Sequence, residues 1–376
     1  MKTKLLLLAN LLFVALGVCA CGGDNDEPAP AAVAITVSSE SLTFEAAGGD
    51  AGIEVSTTGR EWDAAASDSW LTIRKSGTAS AKGSVTVTVA ANTTHKERTA
   101  SVKVVSGTTA KEISVKQAGK EYEPVDPSIL VPDGYELVWN DEFDTPGRLD
   151  PAHWTHEVQG PGWVNNELQT YVKESVNGVN VTEVVDGHLA IHCFKQGDKV
   201  YSGRVYANVG TGWTYGIFEA SIKLPTGRGT WPAYWMMPVN NDFAANPWPR
   251  CGEIDIMEEV GYHANYTSSS IHCEAYNHVM GTQKTAERLT QGAQDDYHTY
   301  RLEWTPDYIA TYVDDKALLI FNNDGKGNVA TWPFFRPFYV IFNLAWGGDW
   351  GAAQGVDESC LPATMEVDYI RVFQKL

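Results

Sequence analysis

Residues 251–261 read CGEIDIMEEVG. Ile254, Ile256, Met257 and Val260 give the run the character of a buried strand, yet Glu253, Asp255, Glu258 and Glu259 stand inside it. Carboxylates rarely enter a sheet interior unless they are paired or at work. On a regular strand, residues i and i+2 share a face, so Glu253 and Asp255 point together and Glu258 points away. A β-bulge that absorbs one residue, Ile256 or Met257, would bring all three acids to one face. Crowded acids divide their protonation: one stays ionised and another keeps its proton. A charged nucleophile about 5–5.5 Å from a protonated acid is the pair that cleaves a glycosidic bond with retention. In that arrangement Glu253 is the nucleophile and Glu258 the acid/base. Asp255 lies between them, orienting Glu253 and balancing the proton. Glu259 is expected to point the other way, as a structural or solvated group. On spacing alone, a calcium site or a salt-bridged strand fits as well.

The elements that must position these acids are strands. The chain has 376 residues, long enough for two domains, and 43% of them are hydrophobic. Lys+Arg number 28 against 47 Asp+Glu, a formal net charge of -19. That balance disfavours nucleic acid, anionic membrane and sulfated polymers as partners and suits a neutral ligand. Lys2 and Lys4 precede the apolar run LLLLANLLFVALGV, which reads as a signal segment over residues 1–20. Ala20 before Cys21 resembles a bacterial lipobox, with Cys21 lipidated and residues 21–34 a tether. The resemblance implies an outer-membrane lipoprotein on the surface of a Gram-negative cell, touching the membrane only through its anchor. Cys193, Cys251, Cys273 and Cys360 show no zinc spacing and read as small buried hydrophobes or at most one bridge.

From residue 35 to 119, short alternating runs such as GIEVST, SVTVTVAA and EISVKQAG recur every 8–12 residues. That texture is a small immunoglobulin-like β-sandwich. With SSESLTFEAAGG, SDSWLTI around Trp70 and the closing ISVKQAG, it resembles a BACON domain. Trp62 and Trp70 could stack on sugar, but a spacer with a core Trp70 is the preferred reading. KEYEPVDPSILVPDG, residues 120–134, reads as a Pro-rich linker. Residues 135–376 carry many strand runs and no long helical period, which points to one antiparallel sandwich of the jelly-roll kind.

GEIDIMEEVG resembles the bulged active-site strand of glycoside hydrolase family 16. WNDEF (139–143), NNELQTY (165–171), YGIFEASIKLPTGRGTWPAYWMMP (215–238), NLAWGGDW (343–350) and VDYIRVFQ (367–374) follow in the family's order. The likeness is greatest to laminarinase-like β-glucanases. It implies an all-β, concanavalin-like β-jelly roll with a long cleft and retention. It also implies cleft roles for Trp231, Trp235 and His272, for Asn166, Glu167 and Gln169, and for Arg204. Trp346 and Trp350 are expected to rim one end, where this sequence departs from the family's usual NLAVGGNWPG. No cofactor is implied for catalysis. A structural calcium at Asp368, with backbone groups near Glu142 and Gly187, is an expectation of the same kind. The implied activity is endo-hydrolysis of β-1,3- or mixed β-1,3/1,4-glucan by a monomer. The alternatives are a non-catalytic surface glycan-binding lipoprotein, a transglycosylase and a galactan hydrolase of the same fold.

Overall fold

The computed structural model describes residues 32–94, 96–120 and 126–376. The signal segment, Cys21 and most of the tether lie outside the described residues. The chain divides into two compact units, Met1–Pro124 and Val125–Leu376.

The first unit is two four-stranded sheets face to face. One runs Ile35–Val37, Gly49–Thr57, Lys82–Val89, Leu71–Ser76; the other runs Ser41–Phe44, Thr109–Gln117, Arg98–Ser106, Asp63–Ala66. Alternation sends Ile53, Val55, Val85, Val87, Val102, Val104, Ile113 and Val115 into the space between them. Trp62 belongs to that core. Trp70 packs against it in part and lies under the Arg98 guanidinium, 4.3 Å from the ring centre. Neither ring is a free platform.

The second unit stacks a seven-stranded sheet on a ten-stranded one. The strands of the smaller sheet are β1 (Trp154–His156), β2 (Arg204–Ala207), β3 (Thr230–Pro238), β4 (Glu253–Glu258), β5 (Tyr266–His272), β6 (Lys284–Leu289) and β7 (Phe338–Trp346). Their order is β1-β2-β7-β3-β4-β5-β6, and every pair along it is antiparallel. The long strand Ala363–Lys375 lies in the larger sheet, between Gly216–Lys223 and the strands His188–Gln196 and Tyr135–Asp141. The core between the sheets is dense in aromatics, including Trp154, Trp213, Tyr234, Trp304 and Phe342. Rings bury large apolar areas and interlock edge to face, which suits the wide gap between two sheets.

The Pro-rich stretch is not wholly a linker. Ile129 is buried against Ile217 and Phe373 of the larger sheet, with Tyr135 and Leu137 beside it. Among the described residues no helix is long and apolar enough to cross a membrane.

Candidate active site

The bulge expected in β4 is present. Against β3, Asp255 pairs with Trp235 and Met257 with Tyr234, so Ile256 is the extra residue. Against β5, Asp255 pairs with Ser270 and Glu258 with Ser268. The Ser269 hydroxyl donates to the Ile256 carbonyl at 2.6 Å and pins the kink. The parity change therefore puts Glu253, Asp255 and Glu258 on one face, where all three line a cleft. Ile254, Ile256 and Met257 go to the core. A glycine stands at each end of the strand run. Gly252 has φ +88°, a conformation other residues resist. At Gly261 a Cβ would lie 1.8 Å from the Gly227 carbonyl oxygen.

The cleft measures about 1140 Å³ and crosses the sheet from Arg204 on β2 to Glu287 on β6. Five interstrand steps of about 4.8 Å make that roughly 24 Å, much longer than one sugar ring. Two indoles hold the outer carboxylates. Trp248 Nε1 donates to Glu253 Oε2 at 3.1 Å, and Trp231 Nε1 donates to Glu258 Oε1 at 3.0 Å. His272 Nε2 lies 3.1 Å from Asp255 Oδ2 and 3.9 Å from Glu253 Oε1. Burial pushes Glu253, Asp255 and Glu258 up to about 8. The Asp255 charge adds to the rise at both glutamates, and Glu167 adds to it at Glu258. One atom each from Glu253, Asp255 and His272 come within 4.8 Å of one another. That spacing would suit a cation, but imidazole and indole N–H groups already face these oxygens.

The other residues singled out from sequence separate into two groups. Trp231, Trp235, His272, Glu167, Arg204 and Trp350 line the cleft. Trp350 meets Trp231 edge to face at 5.5 Å. Arg204 is clamped between Trp163 and Trp235, 4.9 and 4.7 Å from their centres. Trp235 Nε1 donates to Asn343 Oδ1 at 2.7 Å. Three residues are elsewhere. Trp346 is 1% exposed and in the core, because on β7 it shares parity with Leu344, while Asn343 and Ala345 face the cleft. Gln169 is 2% exposed and supports others: its amide donates to Glu167 Oε2 and accepts from the Trp346 backbone N–H. Asn166 is exposed and donates to Asp349 at 2.8 Å, while its neighbour Asn165 lines the cleft.

Glu259 does point away from the cleft, but it is buried, 1% exposed, and accepts from the Gln294 side-chain amide. The Glu142 carboxylate is unavailable to calcium, since Arg371 grips both its oxygens at 3.0 and 2.8 Å. Asp368 is exposed and is the extra residue of a bulge opposite Ser221 and Ile222. The register brings Gly187 and the Glu142 backbone near it, where Ala363–Lys375 changes partner from His188–Gln196 to Tyr135–Asp141. The four cysteines named above are all free.

Sequence reasoning passed over Trp248, Asn343, Trp163 and His278. Trp248 sits in the NPWPR insert just before β4, and that proximity to Glu253 was the available signal. Asn343 follows Ile341 on β7 with the cleft parity.

Residues 172–371 match the model of glycosyl hydrolases family 16. The chain belongs to that family. Residues 60–118 match the BACON model, described as a putative N-terminal binding domain. The family 16 unit is 42% identical over 244 residues to a β-glucanase of Rhodothermus marinus, a match spanning 64% of this chain and 85% of that protein. A non-specific endo-β-1,3(4)-glucanase of family 16 has a solved structure with 41% identity and a TM-score of 0.61, over 66% of this chain and 94% of that one. A glutamate-to-serine variant of that family 16 enzyme presents 1,3-β-D-cellobiosyl-glucose at its active site (41% identity, TM-score 0.60, 66% of this chain and 97% of that one).

Proposed function

We propose that this chain is a retaining endo-β-glucanase acting on β-1,3- or mixed β-1,3/1,4-linked glucan. The observation that carries the reading is the β4 bulge, which sets Glu253 and Glu258 on one floor of a long cleft. The Glu253 carboxylate attacks the anomeric carbon while Glu258 gives its proton to the departing oxygen. Glu258, now a base, takes a proton from water, and that water displaces Glu253 from the glycosyl intermediate. Retention follows from the two inversions. His272 stands nearest Asp255 and Glu253, so charge is best tolerated there. Glu258 has Asp255 and Glu167 as like-charged neighbours and keeps its proton in the resting site.

Substrate class follows from charge and shape. Glu157, Glu167, Glu287 and Asp349 join the three acids of β4 along the cleft, against Arg204 as fixed cation. Such a lining repels sulfated galactans and accepts neutral glucan. The length of the cleft favours the middle of a chain. Trp231, Trp235 and Trp350 supply flat apolar faces for pyranose rings.

The family needs no cofactor. The oxygen donors at Asp368, with carbonyls near Glu142 and Gly187, suit calcium as a structural ion remote from these steps. The N-terminal run ending at Cys21 supports export and lipidation, so Cys21→Ser is expected to move the protein from the membrane to the soluble fraction.

The test is to incubate the protein with laminarin, barley mixed-linkage glucan, agarose and carrageenan. Expected are new reducing ends on the first two, short oligosaccharide ladders, and the β-anomer first in a proton NMR time course. Transfer without new reducing ends, binding without turnover, or cleavage of agarose instead would each refute the reading.

A further inference from the structure

Two atoms at one end of the cleft floor break the rule that buried polar groups have partners. His272 Nδ1 and Gln283 Oε1 are both shut off from solvent, and neither has a hydrogen-bond partner. Both side chains belong to the cleft wall. They are also neighbours across strands. The last ladder pair between β5 and β6 is Ile271 with Lys284. One step further along this antiparallel pair sets His272 opposite Gln283. Directly opposed residues have Cβ atoms about 4.5–5.5 Å apart on one face. One orphan is a ring nitrogen that donates when it carries a proton. The other is an amide oxygen, which only accepts. Each supplies what the other lacks.

The segment joining them is pinned. Asn277, 2% exposed, donates to the Cys273 and Glu274 carbonyls at 3.3 and 3.2 Å and accepts from Met280 N at 3.1 Å. Thr282 N donates to the Asn277 carbonyl at 3.0 Å. Gln283 is thus delivered to the cleft by a braced loop.

We propose that Gln283 is a positioning residue for the retaining reaction: its Oε1 accepts the Nδ1–H of His272 and fixes Nε2 toward the carboxylates. This inference rests on the reading of the cleft given above. With Nδ1 protonated, Nε2 faces Asp255 Oδ2 at 3.1 Å, and one proton lies between ring and carboxyl. Once the Gln283 side chain turns its Oε1 onto Nδ1, which is unpaired in the structure, the ring cannot rotate without breaking both bonds. The tautomer with a bare Nδ1 is excluded, so any proton lost from the cluster leaves from the Nε2–Asp255 side. The groups facing the ring are Glu253 and Asp255 from β4 and Trp248 and His278 from the flanking loops, with Gln283 beside it by extension of the β5–β6 register. Glu258 feels the ring through space.

The experiment uses the full chain labelled with 15N-histidine. A long-range proton–nitrogen spectrum, assigned by difference against His272→Gln, is expected to show the proton of the His272 ring on Nδ1. In Gln283→Met, similar in volume but without an acceptor, Nδ1 is expected to be found without its proton. On glucan, Gln283→Met is expected to lower kcat about tenfold, the scale of one hydrogen bond to a charged group, with KM held within about twofold. Its basic limb of kcat/KM moves to lower pH. Gln283→Glu restores an acceptor, recovers kcat and moves that limb to higher pH. An unprotonated Nδ1 in the unaltered protein overturns the proposal, and so does a limb that moves the same way, or not at all, in both variants. A protein that cleaves no glucan refutes the functional reading instead, while the spectrum still decides Gln283.

Discussion

The two sheets of the family 16 unit both carry acids on the face turned from the core, and they treat them oppositely. On the larger sheet, Asn140, Arg371, Glu219, Arg301 and Tyr312 form one row across four strand pairs. Acid and cation alternate there. Glu142 is held by the fork of Arg371 and Glu366 by Lys223 at 2.8 Å. In the cleft, Glu253, Asp255 and Glu258 meet indole N–H groups and one imidazole, with no lysine or arginine on them. The lesson is that burial and an acid's neighbours together decide whether it is mortar or reagent. Guanidinium partners fix a carboxylate as an anion. Neutral donors and other acids leave it poised between two states.

The strongest way to break that contrast is to neutralise one acid on each sheet. Glu253→Gln is expected to lower kcat on laminarin at least about 10⁴-fold while leaving binding in place. Glu219→Gln on the larger sheet should leave kcat/KM within about twofold. Comparable losses in both variants would erase the distinction. Stability should respond the other way round. Glu142→Ala strips the partner from a mostly buried guanidinium and is expected to cost about 2–3 kcal/mol in urea unfolding.

A sharper comparison concerns the neutral donors. Trp248→Phe keeps the ring and deletes the N–H that reaches Glu253. The expected loss is about tenfold in kcat, since one hydrogen bond to a charged group disappears. A wild-type kcat in that variant would show that the indole only fills space.

The smallest effect is in the pH dependence of stability. A carboxyl near 8 in the folded protein still holds a proton that the unfolded chain, at 4.5, has already released. The resulting penalty is absent below pH 4.5, grows as pH rises to about 8, and is constant above. Glu258→Gln removes the ionising group and is expected to stabilise the protein at pH 8.5, with no gain at pH 4. Equal melting-temperature shifts at both pH values would contradict the assignment.

Much of this arrangement was legible in the chain. The parity conflict among Glu253, Asp255 and Glu258 required a bulge, and the order of strand runs required a sandwich. The family resemblance put Trp231 and Trp235 in the cleft, and alternation kept the two on one face, because pleating is a local property. What stayed hidden was register. Trp346 looked like a rim residue because it sits in a glycine-rich, turn-like run, but β7 continues through it and its parity sends it inward. The partner of the Glu142 carboxylate was equally hidden, since nothing local announces an arginine 229 positions away. Trp248 and Gln283 gained their meaning from the loops that carry them beside β4 and β5. Such juxtapositions depend on the folded path and leave no periodic trace.

The single surplus residue in β4 has a consequence for how such an enzyme can be altered. The spacing of its two reacting groups is counted along a strand and is untouched by the length of any loop. Insertions such as NPWPR can lengthen or reshape the walls without changing that count. Removing Ile256 would turn Glu258 inward and silence the molecule at a stroke. Substrate preference can therefore drift by degrees, while the chemistry itself is either intact or gone.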